Sequence, residues 1–572
     1  MQKLQIWSDS KIQLALGLII GLLTIRIGLI YASPLELYAD EAQYWRWSTT
    51  LDWGYYSKPP MIAWVIHAST SLFGHSEIGV RLFAPVLHTI AATFLLLLTR
   101  RMFGPQTALI TTAAYLFMPG IVLSSTVIST DGVLFPFWCA GLYLFWRLRE
   151  GARGWIYSLG LGAAIGFGFL SKYAMLYFGL GLALTALIDA PSRAVLLSWT
   201  GLKIAGLASL ILFPHIAWNA TNSFQTFGHT VDNANLGSEL FNLENLPTFI
   251  VDQMGVFGPV SFIGLIAGLI MMRGSRSVDV ASKENWLACF IIPVLVIIAF
   301  QAVLSRAHAN WAATAYPAAC LFIASIFTRA TDNKQPWLIA SGLIALGIQF
   351  IPDLTIPTRL ALGLGIGGGL LMTGYVLRWR ITGLFWSGIS LQIALALFFA
   401  IITLGPSSWV SAAGMDNSFK RTRGWQDMAN QLVAEAERLQ PAAILVDERE
   451  VWHGLDYYTK DRLDIPLILW RFNPGPKNFA EQVPLTVSTD APVLIASYRA
   501  KTRPHIKADF STWQAHGKIE VALGRRANGC ALSRTLNLYI ASGYVPLPRT
   551  SEWREQFAGQ VIDPPAKCPS GN

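Results

Sequence analysis

The chain has 572 residues, 53% of them hydrophobic and 13% charged, with a formal net charge of +9 and five cysteines. Soluble domains carry roughly 25% charged residues, so this composition excludes one and points to a membrane protein. The basic excess has no nucleic-acid meaning, because it is concentrated in alternate short loops between apolar runs.

Apolar runs recur from residue 11 to about residue 405, each long enough to cross a hydrocarbon core of roughly 30 Å. Hydropathy places about thirteen spans, centred near residues 21, 90, 117, 141, 163, 181, 211, 260, 295, 318, 345, 368 and 394. The first run, Ile12 to Tyr31, is longer than a signal-peptide apolar region and lacks a small-residue cleavage site, so it reads as a retained helix. Arg100, Arg101, Arg147, Arg149, Arg153, Arg193, Lys203, Arg273, Arg276, Lys283, Arg329, Lys334, Arg378 and Arg380 fall in alternate loops, which the positive-inside rule assigns to the cytoplasm. That bias puts the N-terminus inside. The loop 32–79 and everything after residue 405 then lie outside, in a multi-pass plasma-membrane protein.

The loop 32–79 is too long for a plain connection, and long connections in compact proteins are usually functional. It contains YADEAQYWRWSTTLDWGYYSKPP, residues 38–60. Residues 40–47 read as a short interfacial helix, with Tyr44, Trp45 and Trp47 at headgroup depth and Asp40 and Glu41 in its first turn. Two acids there favour the positive end of a helix dipole, which leaves the rest of the loop unexplained. Lys58 precedes Pro59 and Pro60, which stiffen the chain and block early helix formation, so a cation is presented at a fixed place. An ammonium suits a phosphate as a point charge; the bland alternative is a snorkelling lysine.

Further along, Asp131 in STVISTDG (125–132) stands at the outer boundary of two spans, either as the N-cap of the next helix or as a second carboxylate on the outer face. Lys172 interrupts an apolar stretch near a turnaround. His67 and His88 are lone histidines on apolar helices, the usual setting of satisfied packing residues. A second polar loop, roughly 219–247, is a flap or a plain connector. SRAHANW (305–311) brings Arg306, His308, Asn310 and Trp311 to another outer boundary. Arg306 can grip a phosphate bidentately and His308 can hydrogen-bond it or bind metal, or the group is an interfacial anchor.

From about residue 406 the composition becomes that of a soluble domain. Residues 424–440 have helical spacing, and 442–447, 466–470 and 492–498 are short apolar runs bounded by turn signals. This order predicts a small α/β domain, 406–572, with a partly parallel sheet resting on the transmembrane domain 1–405. It carries no phosphate fingerprint and no nucleophile elbow, so recognition or support is expected of it. Cys530 and Cys568 can pair in an oxidising compartment.

At DEAQYW (40–45), DWGYYSKPPM (52–61), STDGVLFP (129–136), GFLSKY (168–173) and ANWAATAYP (309–317) the chain resembles the polytopic glycosyltransferases of the C superfamily. The likeness is to bacterial relatives of protein O-mannosyltransferases and of the lipid A aminoarabinose and galacturonic acid transferases. It implies an α-helical polytopic fold and transfer of a sugar, with inversion, from a polyprenyl-phosphate donor to an acceptor hydroxyl on a periplasmic envelope lipid or glycan. Asp40 matches the family's general base, with Glu41 beside it, and Asp131 matches a second acid that shapes the site. Lys58 matches a position that meets the donor phosphate, where Arg306 and His308 would assist. In the lipid A branch the residue before that lysine is often acidic and contributes to a metal site. Here it is Ser57, which weakens the case for a divalent metal without removing it. A protein acceptor is the alternative within the same chemistry. A lipid flippase is the alternative outside it, disfavoured because the polar residues gather at one face instead of near the midplane. A scaffold that binds only through its outer domain would leave Asp40 and Lys58 without a purpose.

Overall fold

The computed structural model of the protein describes residues 9–233, 240–273, 277–329, 381–526 and 529–564. Six of the described helices are long and apolar enough to cross a membrane. A seventh candidate is the pair Asn245–Phe257 and Pro259–Ile270, bent by 112° at Gly258. The expected spans near residues 345 and 368 lie outside the described residues. The expected span near residue 117 is instead two helices, Pro105–Leu116 and Pro119–Ser124, because Pro119 opens a new helix and cannot continue the old one.

In chain order the elements that build the site are α1 (Ser10–Ala32), α2 (Ala39–Ser48), α3 (Met61–Phe73), α4 (Glu77–Arg81), α5 (Phe83–Phe103), α6 (Pro105–Leu116), α7 (Pro119–Ser124) and α8 (Thr130–Arg149). Pro60 stops short of α3, as the Pro-Pro pair predicts. The helical body is held by a continuous apolar core that includes Trp138, Phe145, Trp146, Phe178, Trp286 and Phe290. His67 and His88 are satisfied packing residues as expected: the first bonds the Ser48 carbonyl at 2.9 Å, the second Tyr115 and Ser124.

The C-terminal region is the expected α/β domain. Its sheet has the order β2-β1-β3-β5-β4, with β1 (Ala443–Val446) parallel to both β2 (Leu467–Leu469) and β3 (Val493–Ser497). The other half is a long antiparallel hairpin, β4 (Phe510–Arg525) and β5 (Ala531–Tyr544), registered from Phe510 opposite Tyr544 to Arg525 opposite Ala531. Cys530 is disulfide-bonded, while Cys568 lies outside the described residues.

This domain does not merely rest on the membrane part. A second apolar core joins Trp45, Trp47, Tyr55 and Ile62 of the first loop to Trp425, Leu455, Tyr457 and Leu469 of the domain. Glu36 accepts from the Trp425 and Gln426 amides and so caps the helix Trp425–Leu439 from across the boundary, while the Leu37 amide donates to the Tyr458 hydroxyl at 2.8 Å. The helix α2 forms where it was expected, but Trp45 and Trp47 are 4% and 1% exposed. They are packed inside protein, Trp45 edge-on to Tyr457 and Trp47 stacked on Tyr55, and do not form an aromatic belt at headgroup depth.

Candidate active site

A cavity of about 1490 Å³ opens where α1, α2, α7 and α8 meet the C-terminal domain. Its polar end is walled by Asp40, Ser57, Lys58, Asp131, Lys172 and His308, and by Arg421, Arg449, Lys477 and Arg499 of the domain. Its other arm is apolar, lined by Leu22, Ile25 and Leu29 of α1, by Val122 and Leu123 of α7, and by Leu397 and Phe399 of the helix Ile381–Leu404. The sequence places a cluster of titratable groups at the mouth of a greasy channel.

The two adjacent carboxylates of α2 have different surroundings. The Asp40 side chain is 43% exposed, and among the described residues its one ion-pair partner is the Arg449 guanidinium, at 3.7 Å. Arg449 is held in turn by donating to Gln43 at 3.1 Å. Glu41 is 2% exposed and fully engaged: it accepts from Arg81 Nε and Nη2, from the Ile128 amide and from the Tyr38 amide. One turn of helix thus turns one acid into the cavity and buries the next in a clamp that joins α2 to α4 and to the loop before α8.

Asp131 is 7% exposed. It is not the N-cap of α8; Ser129 takes that place, accepting from the Gly132 amide. Asp131 sits in the first turn and accepts from Lys172 Nζ and from Asn310 Nδ2, both at 2.7 Å. Lys172 reaches it because the helix Trp155–Ser171 ends there and Lys172 is extended. Lys58 stands in a turn closed by the Tyr55 amide and its own carbonyl, at 3.1 Å. Among the described residues its ammonium has no hydrogen-bond or ion-pair partner. Burial, and after it the neighbouring Lys172, push its pKa below the ordinary lysine value, with Asp40 and Asp131 opposing. An unpaired cation in such a place is poised to accept an anion.

His308 lines the cavity, and burial, then the nearby Arg306 and Lys58, push its pKa below the ordinary imidazole value. Arg306 itself is exposed and not part of the wall, so the two are not brought together on one ligand. The polar loop 219–247 contributes the helix Gln225–Asn233, whose Thr226 donates to the Tyr55 carbonyl at 2.7 Å. Its His229 faces the cavity, pushed down to about 4 by burial and by Lys58. Reading the sequence alone missed Arg449, His229 and the Lys172–Asp131 pair. For Lys172 the signal was a single charge interrupting an apolar run; for Arg449 there was none.

The chain is similar to known membrane proteins in sequence and in fold. The family model for dolichyl-phosphate-mannose-protein mannosyltransferase matches residues 57–218, a stretch that includes Lys58, Asp131 and Lys172. A lipid A galacturonosyltransferase, RgtD, of Rhizobium johnstonii is 36% identical over 302 residues. That alignment covers 53% of this chain and 63% of the relative's length, so less than two thirds of the relative is represented. Two crystal structures of ArnT from Cupriavidus metallidurans, one bound to undecaprenyl phosphate and one in the apo state, share the fold with TM-scores of 0.58. Each covers 93% of this chain and 99% of its own, at 14% and 15% identity respectively. In sequence and in fold, the chain resembles the polytopic glycosyltransferases of the C superfamily.

Proposed function

We propose that the protein is a membrane glycosyltransferase that moves a sugar from a polyprenyl-phosphate donor to a hydroxyl of an envelope lipid, lipid A or lipopolysaccharide, with inversion. The observation that carries the reading is the convergence of an accessible carboxylate, Asp40, and an unpaired ammonium, Lys58, on one cavity that continues into an apolar arm. Similarity to RgtD supports a lipid acceptor, and the ArnT fold, seen in complex with undecaprenyl phosphate, supports the carrier. The alternation of basic loops supports a periplasmic site in the bacterial inner membrane with the N-terminus in the cytoplasm.

In this reaction the acceptor oxygen attacks the anomeric carbon and gives its proton to the Asp40 carboxylate. The bond from that carbon to the phosphate oxygen breaks on the opposite face. The leaving polyprenyl phosphate gathers negative charge, which Lys58 stabilises in a site shielded from water. Asp131, fixed by Lys172 and Asn310, shapes the pocket between them and keeps its charge compensated. Glu41 acts through its grip on Arg81 and holds α2 in place; it is a positioning residue.

Asp40→Asn keeps the shape of the side chain and removes the base. Turnover of a radiolabelled polyprenyl-phosphate sugar falls by about 10²-fold or more, since general-base catalysis contributes typically 10²- to 10⁴-fold, while expression and donor binding stay at wild-type level. Unchanged turnover would reject the assignment. Mass spectrometry of envelope lipids and glycoproteins from cells with and without the gene identifies the acceptor: a sugar lost from lipid supports this reading, and one lost from protein replaces it.

A further inference from the structure

Arg26 interrupts the apolar run of α1 in its second half and is 5% exposed. It lies six residues before the end of α1, about 9 Å along the axis at 1.5 Å per residue. Its Nη2 donates to the carbonyl of Leu116, the last residue of α6, at 2.5 Å. Among the described residues that is its one hydrogen bond. A guanidinium has five donors, so capping α6 accounts for part of it only. The rest of the group borders the apolar arm, between Leu22, Ile25 and Leu29 on its own helix and Phe117 and Leu123 opposite.

The arm and the pocket that holds Asp40 are one cavity, and on the transferase reading its occupant is the lipid portion of a reactant. The two reactants differ in one respect that matters here. A prenyl chain is hydrocarbon and has no hydrogen-bond acceptor; filling the arm with it would strand a buried cation among methyl groups, which is costly. An acylated sugar carries ester or amide carbonyl oxygens a few bonds below its hydroxyls. Arg26, about 9 Å along α1 from its end, offers such an oxygen a donor within the cavity.

We propose that the apolar arm takes the acyl chains of the acceptor lipid and that Arg26 donates to one of its acyl carbonyl oxygens, setting how deep the acceptor sits beneath Asp40. The inference rests on the transferase reading above, but its test is a binding measurement independent of turnover. The purified full chain in nanodiscs is titrated with two synthetic glucosamine lipids that are identical except that one carries ester-linked chains and the other ether-linked chains. The wild-type chain binds the ester lipid about 10- to 100-fold more tightly, the range for a hydrogen bond to a charged group. In Arg26→Gln, which keeps a donor for Leu116, and in Arg26→Met the ester and ether lipids bind alike. Undecaprenyl phosphate affinity is unchanged in both variants and shows that they are folded. A wild-type chain indifferent to the linkage overturns the proposal without any variant. So does a variant that keeps the ester preference, and so does a parallel loss of undecaprenyl phosphate binding, which assigns the arm to the donor. If Asp40→Asn leaves turnover intact, the transferase reading fails while the ester preference stands or falls by itself.

Discussion

Neighbouring residues of one type can have opposite roles, and Asp40 and Glu41 show how burial decides between them. Asp40 has solvent and one loose cation; Glu41 has four donors and no solvent. Replacing Glu41 by Gln leaves Arg81 as an uncompensated buried charge, a change that costs about 3 to 5 kcal/mol. The expected outcome is a sharp loss of yield and melting temperature, read by differential scanning fluorimetry, in contrast to the well-folded but inactive Asp40 variant. The pair DE was visible in the sequence as a unit; which acid faces the cavity was not, because Arg81 and the Ile128 amide come from elsewhere in the chain. Lys58 was legible for a local reason, the Pro-Pro that follows it. Its lowered pKa has a kinetic consequence: the ammonium is lost as pH rises, at a pH below that of a free lysine. Activity therefore falls on the alkaline side, and Lys58→Arg moves that fall to higher pH, because a guanidinium does not deprotonate in the working range. A pH–rate profile of the two proteins under saturating acceptor checks it.

At the scale of elements, helix α2 and the helix Arg449–Tyr458 of the outer domain form one unit. Between them Asp456 is largely buried, with Arg46 at 3.7 Å, and its carboxyl is pushed up to about 6 by burial, Arg46 opposing. Because the folded value lies above the ordinary 3.8, folding takes up a proton between the two. The stabilisation this group lends is complete below the unfolded value and lost as pH rises through about 6. Asp456→Asn removes that dependence. The wild-type chain should melt higher at pH 5 than at pH 7.5 by a margin that shrinks in the variant, corresponding to about 1.4 kcal/mol, because only about one unit of the shift lies between pH 5 and the folded value and each unit is worth 1.36 kcal/mol. The strands β1 and β3 and the helix Trp425–Leu439 were legible because apolar runs and helical spacing are local patterns. The β4–β5 hairpin was not, since its outer strand alternates irregularly, with register shifts at Ala515/Gly517 and Ala522/Gly524, and is half exposed.

For the whole molecule, the consequential point is that the cavity belongs to neither part alone. Composition divides the chain near residue 406 by the solvent each part is expected to meet. It is misleading for the site, whose walls come from both sides. An aromatic-rich loop beside a membrane span resembles a headgroup belt, because Trp and Tyr serve interfaces between protein and lipid and interfaces between domains for the same reason, an apolar body with a polar edge. Only the tertiary contacts separate the two. Trp45 is the residue on which they differ most: its indole nitrogen donates to His75 at 3.0 Å, and its ring meets Tyr457 edge-on at 4.8 Å between centroids. A headgroup anchor replaced by Ala would weaken membrane association and leave the outer domain untouched. A buried junction residue replaced by Ala loosens the domain, at a cost of about 3 to 5 kcal/mol for a large aromatic. Trp45→Ala should therefore speed proteolytic cleavage in the segment 407–424 that leads into the domain, with helical content by circular dichroism unchanged. It should also lower turnover, because Arg449 and the other cations of the outer wall no longer hold their places opposite Asp40. Cleavage at the wild-type rate would return Trp45 to the membrane surface and leave the outer domain an independent body.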